Sequence, residues 1–102
     1  MTPMPPTVRV GPHVYSVLRK PISAMPNDLG NCDTNTLQIW IRQKLRRSKA
    51  REILLHEVLH ACTHPWIVQG GKFEDEEFVT AVAPVLLLVL QDNPELVEYL
   101  TT

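Results

Sequence analysis

Cysteine, glycine and net charge are all in short supply. Two cysteines and four glycines in 102 residues exclude a disulfide-stapled scaffold and a collagen-like repeat. Cys32 and Cys62 stand 30 positions apart with no pairing pattern. Free thiols in a reducing cytoplasm are therefore expected, with a disulfide between them as the alternative. A net charge of −1 and a pI near 6.4 leave no global field to recruit nucleic acid or anionic lipid. Long apolar runs are also missing. The most apolar stretch, Phe78 to Leu90, is 13 residues interrupted by Thr80 and Pro84, too short for a bilayer. Met1 to Thr7 has neither the basic nor the apolar region of a signal peptide, so none is expected there.

What is present is 44% hydrophobic content. That is enough for one modest core and rules out a disordered chain. A single domain over residues 1–102 is the expectation, and any enzyme built on it is minimal.

The small net charge conceals a division. Residues 1–51 carry nine basic and two acidic side chains, whereas residues 52–102 carry one basic and nine acidic. Arg42, Lys44, Arg46, Arg47, Lys49 and Arg51 form a basic run. It reads either as a patch for nucleic acid or an acidic partner or as a solvated connector. No aromatic residue interleaves the charges, which favours the connector, and nucleic acid is not expected as a partner.

Thr7–Val10 and His13–Leu18 read as a strand hairpin around Gly11-Pro12. Residues 21–36, rich in turn formers, read as loop. Leu37–Ile41 reads as a third strand with Leu37, Ile39 and Ile41 on one face. Ser48 is the expected N-cap of a helix running to about Thr63 and stopped by Pro65. A second helix is expected from about Glu74 to Gln91, kinked or split at Pro84. Asn93-Pro94 then restarts a short terminal helix. The sum is an α+β chain, with a small antiparallel sheet of about three strands packed on two longer helices.

The chemistry is concentrated at His56-Glu57-Val58-Leu59-His60. Residues i and i+4 lie on one helical face, so two imidazoles at this spacing can reach one Zn²⁺. Glu57 then sits beside the ion, placed to act as general base and afterwards general acid. Ile53–Leu55, Val58, Leu59, Ala61 and Cys62 surround these ionisable groups with apolar side chains, an expensive setting unless something satisfies them.

Zinc ordinarily takes a third protein ligand. His64 completes an i, i+4, i+8 series spanning about 12 Å on a straight helix, which makes it a poor ligand. A carboxylate on the second helix is the better source. Positions 76, 79, 83, 86 and 90 share a face that is mostly apolar, which puts Glu76 on the expected core-facing stripe. Glu76 is preferred, followed by Glu77 and Asp75.

Ile53-Leu-Leu-His-Glu-Val-Leu-His-Ala61, the later Glu-Glu-Phe-Val-Thr-Ala-Val-Ala-Pro and Asp92-Asn-Pro-Glu-Leu96 together resemble small zincin-like metallopeptidase proteins encoded by bacteriophages. More distantly they resemble the ImmA/IrrE family. The resemblance covers roughly residues 30–100. It implies a minimal zincin-like fold and a gluzincin-type site in the host cytoplasm, with Zn²⁺ on His56, His60 and Glu76 and with Glu57 catalytic. It also implies a peptide or protein substrate. Tyr15, Tyr99 and His64 are the candidates for stabilising an oxyanion. So small a domain lacks a second wall for its cleft, which a homo-oligomer or partner would supply.

Overall fold

A computed structural model describes residues 2–72 and 74–102. The elements are β1 (Thr7–Val10), β2 (His13–Lys20), β3 (Gly30–Asp33), β4 (Gln38–Arg42), α1 (Arg47–Val68), α2 (Asp75–Asp92) and α3 (Pro94–Thr101). The α+β class holds. No helix among the described residues is long and apolar enough to cross a membrane.

The hairpin forms as expected. Gly11 takes φ +60 at its turn, and β1 pairs antiparallel with β2, Val8 opposite Tyr15 and Val10 opposite His13. The sheet itself departs from expectation in two ways. It has four strands in the order β1-β2-β4-β3, and β2 pairs parallel with β4, Val17 opposite Ile39. The sheet is therefore mixed. The unexpected strand is β3, whose sequence Gly-Asn-Cys-Asp has little strand propensity. Its pairing with β4, Cys32 opposite Ile39, supplies what propensity does not. Between them the Asp33 carboxylate accepts from the Asn35 and Thr36 amides at 2.9 and 3.1 Å, tightening the turn.

Two helix boundaries also differ. Residue Pro65 does not stop α1, which runs on to Val68. A proline this near the end forfeits one hydrogen bond to Ala61, and the helix ends instead at Gly70, at φ +82, a conformation that favours glycine. At the other end Ser48 lies inside the helix. The cap position belongs to Arg46, which makes no side-chain capping bond. Likewise Pro84 does not split α2, which is continuous.

The core joins Val8, Val10, Tyr15, Ile39 and Ile41 of the sheet to Leu54, Val58, Ala61 and Cys62 of α1. Val89, Leu96 and Tyr99 close it from α2 and α3. In α2 the buried residues are Val82 and Val89, with Val85 and Leu86 partly covered, whereas Val79 is 55% and Leu90 41% exposed. This corrects the expected stripe through 76, 79, 83, 86 and 90. An almost uniformly apolar helix has no polar face to set its phase, so packing against α1 and β1 chooses it.

Asn93 stands where a cap was expected, but its side chain does something else. Its Oδ1 accepts from the Arg9 amide at 2.8 Å, and its Nδ2 donates to the carbonyls of Arg9 and Val89 at 2.8 and 2.7 Å. It thereby latches β1 to the corner between α2 and α3. Asn93→Ala is expected to lower unfolding free energy by about 2–4 kcal/mol, three bonds being lost to a buried backbone. Urea denaturation measures this, and an unchanged midpoint would show the latch to be dispensable.

Candidate metal centre

The geometry starts from the phase of α1. Leu54, Val58, Ala61 and Cys62 point into the core, which leaves His56 and His60 exposed one turn apart. Glu57 falls between core and surface and is 5% exposed. The two imidazole Nε2 atoms face each other at 3.1 Å, with ring centroids 4.8 Å apart and planes at 76°. An ion with Zn–N bonds of 2.0–2.1 Å and tetrahedral angles holds its ligand atoms about 3.3 Å apart. The imidazole pair therefore has nearly the spacing a divalent cation needs. One ligand atom from each of His56, Glu57 and His60 lies within 4.8 Å of the others, so these residues can hold a metal ion.

The group opens into a depression of about 390 Å³ between α1 and β3. Its lining includes Gly30, Asn31, Cys32 and Thr34 on one side and His56, Glu57, His60 and His64 on the other. Sequence reading missed the β3 side. Gly30 passes as one turn former among many, yet a Cβ there would stand 2.5 Å from Ile53 Cγ2 and 2.9 Å from Glu57 Oε2. Only a bare backbone lets the strand lie this close to the acid. The available signal was a glycine at the start of a weak strand, which marks close approach. Gly30→Ala is expected to cost about 1–3 kcal/mol through overpacking and to push Glu57 aside. Thermal unfolding and metal affinity measure the two effects, and a variant with both intact would show that the strand can shift freely.

Burial pushes the Glu57 carboxyl above its ordinary range. The His56 and His60 charges oppose this, and Asp28 adds to it. The two thiols are free. Burial raises Cys62 from 9.0 to about 11. Burial, then the charges of Glu57, Asp33 and Cys62, raise Cys32 to about 11. An acid whose pKa rises on folding stabilises the fold fully below its unfolded value, and that contribution fades as pH climbs through its folded one. Melting temperature should accordingly fall between pH 9 and about 11. The fall should be shallower in Cys62→Ala, and equal slopes would contradict it.

The other expected site residues lie elsewhere. Glu76 is exposed and lines a separate groove with Trp66, Glu77, Thr80 and Ala81, outside the His56–Glu57–His60 group. Asp75 is exposed on the first turn of α2. Tyr15 and Tyr99 are each 3% exposed, within the core. The basic run is dispersed. Arg47 and Arg51 stack on Tyr99, Lys49 pairs with Glu52 at 2.7 Å, and Arg42 ends β4. A larger hollow of about 600 Å³ beside Thr2–Pro6 and α3 contains no imidazole or thiol. Comparison with known protein families, with curated proteins and with solved structures found no match to this chain.

Proposed function

We propose that this chain is a zinc-dependent metallopeptidase on a minimal zincin-like fold, of the kind that residues 53–61 resemble. One observation carries the reading: two imidazoles at chelating distance share a depression with a buried carboxylate, beneath an edge strand. Bound there, zinc supplies Lewis acidity and brings the pKa of a water towards about 7. Glu57 takes the proton of the attacking water and passes it to the departing amine. Its carboxyl is buried beside the two imidazoles, within the site rather than in bulk water. The free edge of β3 offers amides and carbonyls to an extended peptide. A third protein donor is proposed from the first turn of α2, Glu76 before Glu77, and reaching the ion requires that turn to move towards α1.

The test is to incubate the zinc-loaded chain with a mixture of peptides and follow the products by mass spectrometry. Cleavage that a chelator stops and added zinc restores is expected. A zinc-loaded chain that cleaves nothing across the mixture overturns the proposal. A second reading has its own support, because Glu57 itself belongs to the ligand group. If Glu57 binds the ion, it is lost as the base, and the chain reads as a zinc-binding structural or regulatory protein.

A further inference from the structure

We propose that His64 is a catalytic residue of this site, the donor that meets the negative charge forming on the substrate carbonyl oxygen. The inference rests on the hydrolytic reading above. When water adds to an amide carbonyl carbon, its proton passes to Glu57 and the carbonyl electron pair moves onto oxygen. The pair returns as the C–N bond breaks, and Glu57 delivers the proton to the amine nitrogen. The transient oxygen anion needs a preorganised donor.

Burial removes the competitors. Tyr15 and Tyr99 are shut in the core, and no lysine or arginine lines the depression. His64 lines it and is exposed. The extension of α1 through Pro65 to Val68 gives His64 a formed helix to stand on, one turn beyond His60. From His56 the separation along the axis is about 12 Å, too great for both to ligate one ion. The same offset leaves His64 in the lining of the depression beside His60 without making it a ligand, on the side where we place the substrate oxygen. No hydrogen bond to another described residue holds that ring. Asn31 and Thr34 also line the depression, from β3 and its turn.

The experiment compares zinc-loaded wild type, His64→Ala, His64→Gln and Asn31→Ala. Its readouts are zinc retention, melting temperature, peptide cleavage and calorimetric affinity for phenylphosphonate, a tetrahedral oxyanion. In His64→Ala, kcat and phosphonate affinity should each fall about 10²-fold, with zinc and stability unchanged. His64→Gln, which keeps an N–H donor, should recover much of both, and Asn31→Ala should lose less of each than His64→Ala does. The proposal is overturned if His64→Ala is indifferent, if it releases zinc, or if Asn31→Ala shows the larger loss. A zinc-loaded wild type that neither cleaves peptides nor binds phosphonate overturns the peptidase reading itself. That pattern is distinct from an active wild type with an indifferent His64 variant.

Discussion

Glu57→Gln is expected to keep the metal and lower peptide hydrolysis by about 10²–10⁴-fold, the usual contribution of a positioned general base. The amide matches the carboxylate in size, so the space under Gly30 stays filled, but it cannot take a proton from water. A second effect has the opposite sign. Burial raises the Glu57 pKa above 4.5, so the carboxyl favours folding fully only below that unfolded value. As pH rises, loss of the proton leaves a charge in a 5% exposed site, which weighs against the fold. The metal-free variant should therefore melt above metal-free wild type at pH 7.5, by a margin that shrinks towards pH 4. Activity lost together with stability would mean a disrupted fold. Activity lost together with zinc would make Glu57 a ligand and favour the structural reading.

The His56–Glu57–His60 group was legible because it is local. His56, Glu57 and His60 lie within five residues of one helix, and the 3.6-residue period alone brings the imidazoles together. What lay beyond one helix was less so. Strand β3 forms because β4 lies beside it, and Gly-Asn-Cys-Asp has no propensity of its own to announce that. The parallel pairing of β2 and β4 depends on β4 inserting between β2 and β3, an arrangement that local pattern does not encode. The phase of α2 was misjudged because valine and leucine occupy nearly every side of it. That error bears directly on Glu76, whose preference came from a stripe through Val79 and Leu90 that the fold leaves exposed. Pro65 shows the same limit in reverse. Its local bias against helix is real, but packing and the left-handed Gly70 set the actual end.

Metal removal is expected to have the largest effect on stability. A ligand that binds only the folded chain stabilises it by about 4 kcal/mol at a thousand times its dissociation constant. In a chain of this size each kcal/mol moves the melting temperature by about 4–8 °C. Saturating zinc should thus raise it by on the order of 15 °C or more, and a chelator should reverse the rise. His56→Ala and His60→Ala should each abolish the response, since one imidazole of a pair 3.1 Å apart no longer forms a chelate. Glu76→Ala should reduce zinc affinity less than either, because its carboxylate lies outside the group and reaches the ion only if the first turn of α2 swings inward. A Glu76 variant as impaired as the histidine variants would show that zinc itself draws that turn into place. A melting temperature indifferent to zinc and chelator alike, with substoichiometric zinc in the purified chain, would remove the metal from the site and leave the two imidazoles as a hydrogen-bonded pair on the face of α1.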